Sequence, residues 1–200
     1  MPLALRDFTA ADFDTWYPLW RGYQAFYAVD IPIEVSRVTW QRLLDPTEPM
    51  HGTFACDGGH AVGIVHYIEH RSCWTVGDYC YLQDLFVVPE RRGQGAGWHL
   101  IEHVYAWARS HGCSRVHWLT QETNRGAMLL YDRIADRSGF VQYRTQALLT
   151  RRLRERWRLV PARDRPNAYA IAQHVIRALA GVRGGRIART TAWRTRSSSR

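Results

Sequence analysis

The chain of 200 residues carries a formal charge of +9, has no lysine, and is 46% hydrophobic with nine tryptophans. That length suits one domain, or one domain with an appendage, and the apolar content is enough to bury a sizeable core. Its longest apolar runs are too short to span a membrane, Met1-Pro2-Leu3 opens no secretory signal, and the four cysteines (Cys56, Cys73, Cys80, Cys113) show no framework spacing, so the expectation is a reduced, cytoplasmic protein with free thiols. The charge is unevenly spread. Residues 151–200 hold 14 arginines against Glu155 and Asp164, a net of +12, which leaves residues 1–150 at −3. A mildly acidic body suits a cationic amine better than a phosphate polymer.

In chain order, Leu3 to Arg6 reads as a short strand. Thr9-Ala10-Ala11-Asp12 resembles a capping box with aspartate in the glutamate position, and it opens a helix running to about Tyr27. Ile31-Pro32-Ile33 breaks that helix, and a second one runs from Val35 to Leu44, where Asp45-Pro46 stops it. Thr53 to Cys56 is a strand, Asp57-Gly58-Gly59 a hairpin turn, and Ala61 to Glu69 the partner strand. Ser72 to Asp78 is a loop and Tyr79 to Val88 a long strand. A helix over 97–110, a strand over 115–120, a helix over 124–137 and a strand over 140–149 follow. The order β-α-α-β-β-β-α-β-α-β predicts an α/β fold with a mixed sheet.

After about Thr150 the character changes to a basic extension. Within it, a helix over 167–180 is expected, with flexible chain otherwise and a disordered end over 194–200. The apolar face of that helix is available to dock on the body or on a second subunit, so a homodimer is among the partner expectations. Arginine interleaved with Trp157, Tyr169 and Trp193 is compatible with nucleic-acid contact through the tail. His66, His70, Cys73 and Cys80 lie on a strand and its turn with no paired-ligand motif, so no metal is expected.

The most informative stretch is Val87-Val88-Pro89-Glu90-Arg91-Arg92-Gly93-Gln94-Gly95-Ala96-Gly97. It reads as the end of a buried strand, a glycine-dense turn and a helix start. The first amides of a helix lack internal partners and point outward at its positive end, so this junction suits a phosphate or pyrophosphate. The glycine spacing does not fit the dinucleotide fingerprint, and the Gly-Lys-Ser/Thr of a triphosphate loop is absent. The spacing Arg92-x-x-Gly95-x-Gly97 resembles the coenzyme A pyrophosphate loop of the GNAT N-acetyltransferases. Downstream, Asn124-x-x-Ala127-x-x-Leu130-Tyr131, followed by Gly139-Phe140, resembles a second pattern of that family. Asn124 is placed as an N-cap and Gly139 as a C-terminal stop. Thr39 to Pro46 and Tyr131-Asp132-Arg133 are similar to a narrower group, the fungal histone, polyamine and D-amino-acid N-acetyltransferases and their bacterial relatives. The likeness covers about residues 3–146, in a domain taken as 1–150.

The resemblance implies a mostly antiparallel sheet, splayed where acetyl-CoA binds as co-substrate, and acetyl transfer to a primary amine. The acceptor is a small molecule (a polyamine, an amino acid or an aminoglycoside-like amine) or a lysine side chain. The coenzyme would lie on Arg92, Gly93, Gln94, Gly95, Ala96 and Gly97, on the open strand edge at Leu85, Phe86 and Val87, and beside Asn124 and Tyr131. Tyr131 would protonate the departing thiolate, and the amide near Leu85 would face the developing oxyanion. In the polyamine enzymes a Glu-Asp pair stands where this chain has Gln83-Asp84. Gln83 cannot take a proton, which leaves Asp84 and Glu122 as candidate bases. Strand alternation puts Gln83 and Asp84 on opposite faces unless a bulge intervenes. Tyr23, Tyr27, Asp78, Tyr81 and Trp118 are the acceptor-pocket candidates, aromatics around a few carboxylates. Two alternatives stand beside this reading: an acyl-CoA-binding sensor without turnover, and a basic interaction protein whose tail is the functional part.

Overall fold

The computed structural model describes residues 3–144. By its internal contacts the chain divides after Ser138. Among the described residues, every helix and strand lies before that point, and 139–144 form none. The elements are β1 (Ala4–Asp7), α1 (Phe13–Phe26), α2 (Ile33–Leu44), β2 (Met50–Asp57), β3 (His60–His70), β4 (Tyr79–Val87), α3 (Ala96–Ser110), β5 (Arg115–His117) and α4 (Arg125–Ile134). The sheet order is β1-β2-β3-β4-β5. All neighbours are antiparallel except β4 and β5, which run parallel. This is the mixed, mostly antiparallel α/β sheet the sequence predicts.

Local chemistry sets the element boundaries. The Asp12 carboxylate accepts the Thr9 backbone N–H at 2.8 Å and the Thr9 hydroxyl at 2.6 Å, closing the turn ahead of α1. Arg6 grips both Asp12 oxygens, at 2.7 and 2.9 Å, and that pairing holds the carboxyl well below the usual carboxylate range. Helix α2 starts two residues earlier than expected, because Pro32 at φ −53° already has the backbone angle a helix entry requires. Strand β2 is longer than the expected 53–56, since β3 pairs with it from Met50↔Ile68 to Asp57↔His60. Helix α4 ends at Ile134, short of 137. Ala135 is extended and Arg137 folds back onto Asp132 through two hydrogen bonds of 2.9 and 2.7 Å. Gly139, at φ +76°, therefore does not stop the helix. The strand expected over 140–149 does not form over 140–144. Its remainder, the helix expected over 167–180 and the whole 151–200 extension lie outside the described residues.

The core has two layers, one on each face of the sheet. Beneath α3, the buried residues Leu100, Ile101, Val104 and Ala108 pack on Val65, Tyr67, Cys80 and Leu82. On the other face, Trp16, Leu19 and Trp20 of α1 and Trp40 and Leu43 of α2 pack on Phe54, Ile64 and Phe86. Each such side chain contributes about 1.5–3 kcal/mol on burial. Gly22 lets α1 come down onto β4: a Cβ there would stand 2.6 and 2.8 Å from ring carbons of Phe86. That contact is absent from the periodicity of the sequence, and it sets the distance of α1 from the strand.

Two irregularities in β4 organise the rest. In the ladder with β3, His66 pairs with Asp84 but Tyr67 pairs with Leu82, so Gln83 is the extra residue of a bulge. Cys80 and Leu82 point into the α3 layer, while beyond the bulge Phe86 points into the α1 layer. The bulge thus reverses which face the even-numbered residues occupy and turns Asp84 toward α1. On the opposite edge, β5 pairs with β4 only through Tyr79↔Arg115, Cys80↔Val116 and Tyr81↔His117. The strand expected over 115–120 stops at His117, and among the described residues β4 runs on to Val87 without a partner on that side. Main-chain groups left open along such an edge seek an added strand or a ligand.

Candidate active site

The divergence of β4 and β5 opens a cleft of about 690 Å³. A cleft of that volume is of the size that holds a small ligand or cofactor. Leu82, Gln83, Leu85, Phe86 and Val87 line one wall, Trp118 and Leu119 the other, and Asn124, Leu130 and Tyr131 of the α4 segment close it. Tyr23, Phe26 and Tyr27 of α1 reach in from the side.

At one end the cleft meets the glycine turn. Gly93 has φ +73° and Gly95 has φ +90°, the left-handed region that side chains rarely adopt. Gly95 is the N-cap of α3 and makes no side-chain capping bond, so the first amides of a 15-residue helix are presented at the turn. Arg92, Gly93, Gly95, Ala96 and Gly97 all line the cleft. Gln94 does not; its side-chain amide donates to the Glu90 carbonyl at 3.3 Å and steadies the turn from behind. The Arg92 guanidinium folds inward, donating to the Val87 carbonyl at 3.0 Å and lying over the rings of Phe26 and Phe86. The Arg91–Asp57 ion pair, 2.9 Å, ties the turn to β2.

Around the bulge, three tyrosines feel the charge of one carboxylate. Asp84 is 8% exposed. Its Oδ2 stands 3.0 Å from Nδ1 of His66, and the Trp16 indole N–H donates to Nε2 of His66 at 2.8 Å. Burial pushes the Tyr23 hydroxyl well above the ordinary tyrosine range, reinforced by the Asp84 charge and a hydrogen bond to it. Tyr27 and Tyr81 are raised for the same two leading reasons, burial first and the Asp84 charge second. Tyr131 is pushed up to about 12, mainly by burial and then by Tyr27. All four phenols therefore keep their protons at neutral pH, and Tyr131 lines the cleft.

Of the sequence-derived candidates, the structure brings together Tyr23, Tyr27, Tyr81, Asp84, Trp118 and Tyr131. The Trp118 ring packs edge-on against Tyr131 at 5.3 Å, and Tyr81 stacks on His117 at 5.0 Å. Asp78 is not among them. It precedes the first residue of β4, about 20 Å along the strand from Asp84, and pairs with Arg71 at 3.0 Å. Glu122 is exposed on the turn before α4 and does not line the cleft. Asn124 occupies the N-cap position of α4, but its side chain does not cap; the amide donates to the Thr120 hydroxyl at 3.1 Å and the residue faces the cleft. Sequence reasoning missed Trp16, Gly22 and His66 as parts of the site. Their only signal was a tryptophan and a glycine on the buried stripe of α1 and a histidine in an apolar strand. Among the described residues no group of three or more potential ligands could hold a metal ion.

The acetyltransferase (GNAT) family model matches residues 13–135. A D-amino-acid N-acetyltransferase of Saccharomyces cerevisiae is 38% identical over 135 residues, covering 66% of this chain and 84% of the relative. A thialysine N-epsilon-acetyltransferase of Mus musculus is 38% identical over 74 residues, 37% of this chain and 43% of the relative, so the chain spans less than half the length of that protein. Among solved structures, the aminoglycoside N-acetyltransferase AAC(6')-Iy in complex with a bisubstrate analogue has a TM-score of 0.65 at 16% identity, covering 73% of this chain and 99% of that one. An integron cassette protein of V. cholerae has a TM-score of 0.63 at 18% identity over 78% of this chain and 99% of its own. These two likenesses are of fold.

Proposed function

Because this chain belongs to the GNAT acetyltransferase family and moves an acetyl group from acetyl-CoA to an amine, we propose that Asp84 takes the proton of the acceptor ammonium and Tyr131 supplies the proton that the leaving thiolate needs. The observation that carries this reading is the bulge at Gln83. It turns the buried carboxylate of Asp84 toward the tyrosines that enter the cleft, while Tyr131 stands on the α4 wall. Gln83, which cannot act as a base, is the exposed residue of the bulge.

In this mechanism the amides from Arg92 to Gly97 receive the pyrophosphate, and the open edge of β4 through Leu85, Phe86 and Val87 takes the pantetheine as an added strand. The ammonium loses a proton to the Asp84 carboxylate, directly or through one water. The amine nitrogen then bonds to the acetyl carbonyl carbon, an open-edge amide near Leu85 faces the oxygen as it gains charge, and the C–S bond breaks. The nitrogen gives up its second proton to water, and the Tyr131 phenol passes its own proton to sulfur and recovers one from solvent. Tyr23, Tyr27, Tyr81 and Trp118 form the acceptor wall, which suits a small primary amine with an apolar or cationic body. A free amino acid is the first acceptor to try, because the Saccharomyces cerevisiae relative bears that activity in its name. The chemistry takes place in a reduced cytoplasm, where the four cysteines remain thiols; all four are free in the structure.

The test is thiol release from acetyl-CoA across a panel of D- and L-amino acids, polyamines, aminoglycosides and lysine peptides, with Asp84→Asn run beside the parent. Amine-dependent thiol release that falls by about 10²–10⁴ in Asp84→Asn is the expected outcome. Coenzyme binding with no amine-dependent release across the panel favours a non-catalytic acyl-CoA sensor instead.

A further inference from the structure

The Asp84 side chain is held from behind by a chain of two hydrogen bonds that crosses three elements. Trp16 on α1 is fully buried, His66 on β3 is 2% exposed and Asp84 on β4 is 8% exposed. An indole N–H can only donate. With Trp16 Nε1 at 2.8 Å from it, Nε2 of His66 must accept. The ring then carries its proton on Nδ1, which points at Asp84 Oδ2 at 3.0 Å. The tautomer is set by the partner on the far nitrogen, the usual way a histidine is oriented. The bulge at Gln83 makes the contact possible, because it leaves His66 and Asp84 as register partners facing the same side. The ring is also fixed by its neighbours Phe8, Trp16 and Trp20, whose centroids lie 5.4–5.9 Å away.

We propose that His66, locked in one tautomer by Trp16, is the positioning residue that orients the Asp84 carboxylate for proton removal from the acceptor. This rests on the reading of Asp84 as the base. One carboxylate oxygen is engaged by the imidazole N–H, so the other faces the acceptor side, where Tyr23 of α1, which hydrogen-bonds the carboxylate, Tyr27 of α1 and Tyr81 of β4 are the titratable groups that face it. The chain of hydrogen bonds ends at Trp16, which cannot accept a proton. A proton taken by Asp84 therefore does not travel inward through His66. It stays on the carboxyl group until water in the cleft removes it.

Two amides separate the two contacts of the imidazole. Asparagine places its amide nitrogen where Nδ1 sits and keeps a donor to Asp84. Glutamine reaches the Nε2 position, keeps an acceptor for Trp16 and loses the donor. His66→Gln is expected to lower kcat about ten- to a hundredfold, the cost of a misplaced reacting group, with the KM for acetyl-CoA unchanged within about twofold. His66→Asn should recover most of kcat. Equal loss in both variants, or a His66→Gln enzyme with parental kcat, overturns the proposal. If His66→Gln does not fold, Trp16→Phe serves in its place. It removes the donor that fixes the tautomer, so kcat should fall about tenfold with the KM for acetyl-CoA unchanged; a parental kcat overturns the tautomer lock. An Asp84→Asn enzyme with full kcat refutes the base itself. Loss of kcat in Asp84→Asn with parental behaviour in His66→Gln refutes only the role of His66.

Discussion

Replacing Gly22 by alanine should damage both the fold and the chemistry, although alanine is the better helix former. The added Cβ would meet two ring carbons of Phe86 at 2.6 and 2.8 Å, where carbon atoms rest comfortably at about 3.5–4.0 Å. Helix and strand must therefore part by about 1 Å, or the Phe86 ring must turn within a site where it is 8% exposed. Overpacking of this kind costs about 1–3 kcal/mol, and the helix preference of alanine over glycine returns at most about 1 kcal/mol. The net is a loss of about 0–3 kcal/mol, which lowers the melting temperature by up to about 12 °C for a domain of this size. The kinetic effect should be larger than the thermal one. Tyr23, the next residue, hydrogen-bonds Asp84, and Phe86 lines the cleft, so a displacement of about 1 Å reaches the reacting groups and costs up to about a hundredfold in kcat/KM. Thermal melts and steady-state kinetics on the same preparations decide the matter. A Gly22→Ala protein that melts higher than the parent with unchanged kcat/KM would refute the close approach of α1 to β4.

Tyr131→Phe keeps the ring packed against Trp118 and should lower kcat about ten- to a thousandfold, with acetyl-CoA affinity by calorimetry little changed. Because burial moves the Tyr131 ionisation up to about 12, its proton should be lost from the parent enzyme only toward that pH. By the same linkage, stability should be intact below the ordinary tyrosine pKa of about 10 and should fall as pH rises from there through about 12; an alkaline titration of the melting temperature reads this. Gly95→Asp combines a side chain at φ +90° with a negative charge at the mouth of α3, and calorimetry should show acetyl-CoA binding weakened at least about tenfold. Parental affinity in that variant moves the pyrophosphate elsewhere. A protein ending at Thr150 should keep most of its transfer to small amines. Any nucleic-acid retention by the full chain should fall steeply with salt and disappear in the shortened one. An insoluble or inactive truncation would place residues 151–200 within the fold.

The elements around the glycine turn were legible in the sequence because their signals are local. An apolar run, three glycines and a stripe at helical spacing are enough to place β4, the turn and α3. Tyr131 and Asn124 were reachable through spacing alone. The side chain of Asn124 was not, because whether an asparagine caps a helix or bonds Thr120 depends on how the preceding turn folds. The end of α4 was misplaced for a related reason. Gly139 is a plausible stop by type, but the chain had already turned extended at Ala135. Asp78 entered the acceptor set as a carboxylate before a long strand, and strand geometry alone removes it by about 20 Å. The Gln83 bulge turns Asp84 toward α1, and it has no signature in residue type: a bulge is a property of the pair of strands. Trp16 and His66 stand 50 positions apart in the chain, and only the packing of α1 on the sheet brings the indole to the imidazole that holds Asp84.

The brief pairing of β5 with β4 has a consequence for how the protein lives without its co-substrate. Among the described residues, the far wall of the cleft is joined to β4 by three residue pairs, and α4, which carries Tyr131, has no buried residue. That segment should exchange its amide hydrogens long before the β2-β3-β4 ladder does. Acetyl-CoA bound along the open edge and against α4 would stitch the two walls together, adding about 2.7 kcal/mol when present at a hundredfold over its dissociation constant. The co-substrate is then also mortar. Proteolytic lifetime should track its supply, and within residues 3–144 the first cut in starved protein should fall near α4.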